Sequence, residues 1–592
     1  MSQKNDGNYC LATTAIAEFW DLNIRLLFLG PWCLIDNNAN KFIENKNYVI
    51  ASSPWSSVEK RKGASVYCYN IYKEMIPLMS EKLNIIHDVT YPVKYWRILV
   101  GPWLLHFISI LFDRYKRIEK VFELYPDFYT HVLPRGQCDL MSYSMADFLY
   151  SRGGKARGDY YNLKLFSLVA YDICPSNVIE KDYKVESEIY VIRHGWKRKL
   201  FSALKRPLDV SFKGPILLSS MHHLSLKDMF LLKMKMGFKN FHFMDFIDFK
   251  SPDSSSLKDR YSCKLRDALR FEKTNDRFVS LLYNTFPEAV PVCYVEDYKF
   301  HRNSVKEIDS LKLIGSAVGW VYNEEFKFYA AEALLKNVKL AEFQHGGVYG
   351  TLFSVPSETL ALEKDIFYTW GWDLRSDSDI RHIPSAHLSK LKDRHSPRLD
   401  KMLFVSNIIP RYIYRVHTAL LPDDVPKYLE DKLIFMNALS NNIKNRILYR
   451  PYRELVWEKI DLIKKICPDI EFVSKGKLAE WMRKAKIVVI DHPHTSFLEA
   501  LTINVPSVFY WDHEVYLMRS DAEPYLQALR DAGILYKDPV SAAEKVNEIF
   551  DDPMEWWHSN TVQNVRKEFC GRFAYARKDW LDVWVKELRK HM

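Results

Sequence analysis

Residues 486–511 constrain the fold more than any other stretch of this chain. They read Lys486-Ile-Val-Val-Ile490, then Asp491-His-Pro-His-Thr-Ser496, then Phe497-Leu-Glu-Ala-Leu501, then Val505-Pro-Ser-Val-Phe-Tyr-Trp511. A short apolar run bounded by polar turn residues suits a strand buried on both faces. Two such runs around a short helical pattern make a βαβ unit of a parallel sheet. A helix that begins directly after a strand aims its unbonded N–H groups and the positive end of its dipole above the sheet edge, where phosphate is favoured. Thr495 and Ser496 add hydroxyl donors, His492 stands in the same elbow, and Glu499, one turn in, is in reach of a ribose hydroxyl. The competing reading is a plain helix cap, because Ser496-x-x-Glu499 also matches a capping box, which needs no ligand.

At 592 residues the chain exceeds one hydrophobic core, and two or three domains are expected. Hydrophobic residues make up 48% of it, enough to fill globular interiors. The charge balance, 84 basic against 74 acidic residues, gives +10, and the basic residues are spread along the chain instead of gathered into a nucleic-acid-binding stripe. Anionic substrates, or docking on an anionic membrane face, fit that excess at least as well. The nine cysteines are scattered singly with no Cys-x-x-Cys, the pattern of reduced thiols in a cytoplasm. Residues 1–11 are polar and carry no signal-peptide pattern. The apolar run Ile98–Phe112 is short for a membrane span and interrupted by Gly101-Pro102, which should break it, so a buried helix is expected there.

Residues 1–160 read as a helix-rich N-terminal extension, apart from a strand and turn at Leu26–Pro31. From about 210 onward, apolar runs alternate with helical patterns: strands at 215–219, 289–295, 338–343 and 365–370, and a helix at 326–337. This alternation predicts α/β architecture with mainly parallel sheet. The turn-rich, charged stretch 376–400 reads as a linker between an N-terminal Rossmann-like lobe over 161–375 and a C-terminal one over 401–563, with a closing helix at 564–592. Two such lobes and a linker are the layout of a two-lobed sugar-nucleotide transferase, with the active site in the cleft between them.

Further constellations carry possible chemistry. Gln344-His-Gly-Gly-Val-Tyr-Gly350 follows a strand directly. Gly346 and Gly347 let backbone N–H groups approach a ligand, and His345 is placed to stabilise a leaving phosphate or act as acid or base. In Tyr449-Arg-Pro-Tyr-Arg453, Arg450 and Arg453 suit an anion, and Ser474 and Lys475 close the next strand toward the same face. Glu296-Asp297, expected at a strand end, are candidates for a general base or nucleophile. His222-His223 with Asp228 lacks a convincing third ligand, so no metal site is assigned.

The strand-QHGG-x-YG block, the Trp370-Gly-Trp372 turn, RPYRE at 450–454 and DHPHTSFLEA at 491–500 together resemble bacterial surface-carbohydrate transferases of O-antigen and capsule loci. Cys10-Leu-Ala-Thr-Thr14 and Tyr95-Trp-Arg-Ile-Leu-Val-Gly-Pro-Trp103 extend the resemblance almost end to end. It implies a GT-B-like fold and transfer of a sugar, such as pseudaminic acid from a CMP-activated donor, to a glycan or lipid-linked glycan acceptor. It also implies kinship with CMP-Kdo-dependent capsule transferases. His345, Gly346 and Gly347 match the first loop; Thr495, Ser496 and Glu499 match the nucleotide loop. Arg450-Pro451 stands where relatives have a His-Pro pair. The expected enzyme is metal-independent, with no cofactor beyond the nucleotide-sugar co-substrate, no nucleic-acid partner, and a cytoplasmic site of action with possible peripheral contact to the inner membrane. The alternatives are a CDP-polyol phosphotransferase of the same fold and a non-catalytic nucleotide- or carbohydrate-binding partner.

Overall fold

Apolar runs framed by turn residues become parallel strands throughout the computed structural model. It describes residues 9–35, 48–125, 127–149, 154–184, 214–244, 257–272, 274–305, 308–374, 376, 378–407, 409–452, 457 and 460–592. The chain divides into two compact units. The first comprises Met1–Gly214, Met244–Val338 and Pro410–Val416; the second comprises Pro215–Phe243, Lys339–Ile409 and His417–Met592. The expected contiguous lobes at 161–375 and 401–563 are replaced by this interleaved division. Hydrophobic periodicity finds strands but does not say which of them share a core.

In the first unit, β1 (Tyr9–Ala12), β2 (Arg25–Phe28), β3 (Tyr48–Ile50), β4 (Phe128–Val132) and β5 (Val178–Glu180) form a parallel sheet in the order β3-β2-β1-β4-β5. The expected helix-rich extension is therefore itself an α/β layer. Its two long helices are Val58–His87 and Val93–Leu124. Gly101-Pro102 lies inside the second helix without breaking it. Near-complete burial of the side chains from Ile98 to Leu111 outweighs the ~3 kcal/mol that an interior proline costs. Among the described residues this is the helix long and apolar enough to cross a membrane, and 94% of its most apolar window is buried inside the protein.

A second correction concerns 289–295. Helix Arg277–Ala289 runs into it, and a 3-10 turn follows at Val292–Tyr294, so Glu296 and Asp297 do not close a strand. A buried helical end and a buried strand show the same unbroken apolar run. Strand Leu313–Ser316 (β8) completes this unit's later segment.

The second unit carries β6 (Ile216–Ser219) paired in parallel with β7 (Phe241–Phe243), and β10 (Ile366–Thr369) between β9 (Lys339–Phe343) and β11 (Asp379–His382). The expected linker thus contains β11 and the helix Ala386–Leu391. Six more strands follow: β12 (Met402–Val405), β13 (Ile447–Arg450), β14 (Glu471–Phe472), β15 (Ile487–Ile490), β16 (Ser507–Tyr510) and β17 (Leu535–Tyr536). Their pairings are parallel, and the order is β14-β13-β12-β15-β16-β17. Counted from β12, that order is 3-2-1-4-5-6, the doubly wound dinucleotide-fold order. Its strand sequence reverses between β12 and β15, and the crevice at their carboxyl ends is where such sheets bind ligands. The closing segment forms two helices, Asn560–Phe573 and Trp580–Leu588.

Candidate functional site

The elbow after β15 sits at that reversal. Helix Thr495–Ile503 begins at N-cap His494, and no side chain caps it. The capping box read from Ser496 and Glu499 does not form. Ser496 Oγ bonds His492 Nε2 at 2.8 Å, and Glu499 Oε1 bonds His387 Nε2 at 2.6 Å. His492 Nδ1 in turn lies 2.9 Å from Asp491 Oδ1, so Asp491, His492 and Ser496 make one hydrogen-bonded chain. With Nδ1–H donated to the carboxylate, Nε2 accepts from the serine hydroxyl when the ring is neutral. It donates to that hydroxyl when the ring is protonated, freeing the serine proton for an anion. His494 Nδ1 bonds Asn407 Oδ1 at 3.1 Å, tying the elbow to the end of β12 across the reversal.

The QHGG loop meets this elbow. The Gly347 N–H donates to Thr495 Oγ1 at 3.0 Å, and a Cβ on Gly347 would stand 2.7 Å from Thr495 Cα. Only glycine allows that approach. Gln344 anchors the loop's start. Its Oε1 accepts from Trp370 N and Trp372 Nε1, both at 2.8 Å, which binds β9 to the Trp-Gly-Trp turn after β10. Gly350 adopts φ +72° with its missing Cβ against the Trp372 ring, and its N–H donates to Glu358 Oε2 at 2.8 Å. Burial pushes the Glu358 carboxyl up to about 7, against the pull of the Gly350 N–H and Arg519. The His345 ring is half-buried with Tyr349 Oη 3.1 Å from Nδ1, and its carbonyl is bonded by His223 Nε2 at 3.0 Å.

Two residues that sequence reasoning missed complete the arrangement. His387, inside the expected linker, stacks on His223 with ring centroids 4.9 Å apart and holds Glu499. Burial drives the His223 ring down to about 3, so it stays neutral. Lys390, one turn on from His387, bonds Asp228 Oδ2 at 2.7 Å. Asp228 also closes a capping box with Ser225, which accounts for it without a metal. A lone His in a polar stretch carries no signal until the fold sets it against a helix start.

Asp491 faces a second space. A small open pocket is lined by Tyr428, Asp431, Asp491, Tyr510, Asp512 and other residues of the same unit. Asp491 Oδ2 and Tyr510 Oη are both buried there without a hydrogen-bond partner. Burial raises the Tyr510 phenol well above its ordinary value, with Asp491 and Asp431 adding to it. Burial likewise lifts the Asp431 carboxyl to about 6, opposed by Lys427. An unsatisfied buried carboxylate oxygen costs free energy until a donor reaches it, so this pocket suits a hydroxyl or amino group.

The remaining candidates fall elsewhere. Arg450 donates to the carbonyls of Val473 at 2.7 Å and of Lys475 and Gly476 at 2.8 Å, shaping the loop in which Ser474 and Lys475 are exposed. These bonds tie its guanidinium to the segment after β14. Arg453 lies outside the described residues. Glu296 and Asp297 belong to the first unit. Both Glu296 oxygens take the buried Arg266 guanidinium, at 2.7 and 2.6 Å, and Asp297 pairs with Arg260.

One family model, described as LIC12162 family transferase, matches residues 9–588. The chain belongs to that transferase family. No curated protein matches the sequence. Among solved structures it is similar to MurG of Acinetobacter baumannii, with 11% identity, a TM-score of 0.32, and coverage of 64% of this chain and 99% of that one. It is similar to the UDP-forming α,α-trehalose-phosphate synthase of Burkholderia vietnamiensis, with 12% identity, a TM-score of 0.34 and coverage of 64% and 99%. It is also similar to the pneumococcal O-GlcNAc transferase GtfA in complex with UDP and GlcNAc, with 12% identity, a TM-score of 0.31 and coverage of 50% and 60%.

In this LIC12162 family member, the QHGG loop meets an elbow that carries the Thr495 and Ser496 hydroxyls, an uncapped helix start and the His492 ring at the sheet reversal. That is a set of donors suited to negative charge that grows as a phosphate departs.

Proposed function

We propose that this transferase is a GT-B-type glycosyltransferase of bacterial surface-polysaccharide assembly, moving a nonulosonic acid such as pseudaminic acid from a CMP-linked donor to a glycan acceptor. The observation that carries the reading is the meeting of Gly347 with Thr495 over an uncapped helix start, at the reversal of a 3-2-1-4-5-6 sheet. In this reading the donor phosphate sits on the first-turn N–H groups with Thr495 and Ser496. His492, held by Asp491, feeds a proton toward the leaving phosphate through Ser496. His345, beside Tyr349, faces the reacting centre as acid or base. Catalysis is assigned to these two histidines in place of Glu296 and Asp297, whose oxygens are spent on arginines.

The test is stabilisation by CMP, CDP, UDP, GDP and ADP, measured as a thermal shift for the wild type and for Ser496→Ala. A ligand at a hundredfold excess over Kd adds about 2.7 kcal/mol. Stabilisation by CMP alone, lost in Ser496→Ala, supports the CMP-sugar reading. Preference for UDP or GDP moves the donor class, and no response to any nucleotide sinks the proposal.

A further inference from the structure

The helix Leu226–Met236 is apolar on two faces, and the fold uses only one. At 100° per residue, buried Asp228, Leu232 and Met236 form one stripe, and Leu226, Phe230 and Met234 form another on the opposite side. This second stripe is exposed: Leu226 57%, Phe230 54% and Met234 47%, with Phe238, just past the helix, at 57%. Isolated exposed apolar residues are common, but three in register on one helix face, joined by Phe238 beyond its end, are a patch. The Phe230 and Phe238 rings meet edge to face at 6.2 Å, and Lys233 Nζ lies 6.0 Å from the Phe238 ring centroid.

The helix's own charge around the patch is net positive. Lys227 and Lys233 flank the stripe on its two sides, and Lys239 follows Phe238. From Leu226 to Lys239 there are four lysines and one acid, 4 − 1 = +3, and that acid is Asp228, turned inward onto Lys390. Lys235 is paired with Asp582 of the closing helix, and Arg589 from the same end of the chain donates to the Lys235 carbonyl at 2.8 Å, adding a further cation. A helix with an aromatic and aliphatic outer face, a lysine on either side and no outward carboxylate of its own has the composition of one that lies in the headgroup layer of a bilayer.

We propose that this face docks the protein on an anionic lipid surface, with Leu226, Phe230, Met234 and Phe238 entering the interface and Lys227, Lys233 and Lys239 meeting acidic headgroups. It stands independently of the donor chemistry proposed above. The experiment is co-sedimentation of the full chain with vesicles of phosphatidylcholine alone and of phosphatidylcholine with about one-third phosphatidylglycerol. The wild type is expected to pellet with the anionic vesicles only, and less as salt rises. Phe230→Ser/Met234→Ser should weaken that binding about tenfold or more, and Lys227→Glu/Lys233→Glu by about fivefold per lysine. Unchanged wild-type melting of both variants shows that they fold, and that control needs no nucleotide. No pelleting of the wild type, equal pelleting with neutral vesicles, or variants that pellet like the wild type would overturn the proposal. So would a wild-type dimer in light scattering that Phe230→Ser/Met234→Ser dissolves, because the patch would then be covered by a second copy.

Discussion

The Gly347 N–H donates to Thr495 Oγ1 at 3.0 Å, and the position of a Gly347 Cβ would fall 2.7 Å from Thr495 Cα and 2.9 Å from its nitrogen. Those are backbone atoms of a helix start and cannot swing aside. Gly347→Ala should therefore push the loop off the elbow, costing about 1–3 kcal/mol of stability and abolishing nucleotide-induced stabilisation. Gly346 is the control. Its Cβ would meet Tyr349 at 3.5 Å, an ordinary contact, so Gly346→Ala should melt close to wild type and still respond to nucleotide. Thermal melts of the two variants with and without nucleotide decide it; equal behaviour would remove the close approach from the account of the site.

Much of this arrangement was legible in the chain. Ile487–Ile490 and Ser507–Tyr510 are strands because an all-apolar run between turn residues has few other homes, and the elbow between them followed. Two kinds of information were missing. Which strands share a unit depends on contacts across hundreds of residues, so the placing of 215–243 in the second unit could not be read from periodicity. What a polar side chain does depends on its neighbour. Ser496 and Glu499 had the spacing of a capping box, yet each found a stronger partner in His492 and His387. Arg450 suited an anion by position, and in the fold it donates to three carbonyls of the segment after β14.

The Asp491–His492–Ser496 chain predicts non-additive kinetics. If His492 acts on the phosphate through Ser496, removing either residue breaks the same path. Each of His492→Gln and Ser496→Ala should lower kcat about 10²-fold, and the double variant should fall little further. Single-turnover rates of the three variants make the comparison. Effects that multiply would mean that the two side chains work separately.

Glu358 predicts a pH dependence of stability. Its carboxyl titrates near 4.5 in the unfolded chain and at about 7 in the folded one, so the native state holds the proton more tightly. The contribution is fully present below pH 4.5 and is lost as pH rises through 7, with an upper bound on the order of 3 kcal/mol. Glu358→Gln keeps an acceptor for the Gly350 N–H but has no proton to lose. Urea midpoints at about pH 5 and about pH 8 should fall between the two conditions for the wild type and fall less for the variant. Parallel behaviour of the two proteins would place the proton elsewhere.

Glu296 separates a structural carboxylate from a catalytic one. Arg266, 1% exposed, takes both Glu296 oxygens and also donates to the carbonyls of Pro287 at 2.9 Å and Val290 at 2.6 Å. The pair thereby fastens the segment where helix Arg277–Ala289 ends. Glu296→Ala would leave a buried guanidinium without its counter-charge, and breaking such a pair costs about 3–5 kcal/mol. The expected outcome is a large drop in the urea midpoint, while kcat, corrected for the folded fraction, stays within about threefold of wild type. A catalytic Glu296 would give the reverse, a kcat lowered by orders of magnitude in a protein of nearly normal stability. Chemical denaturation and initial rates on the same preparation distinguish the two, and the bidentate grip of Arg266 favours the first.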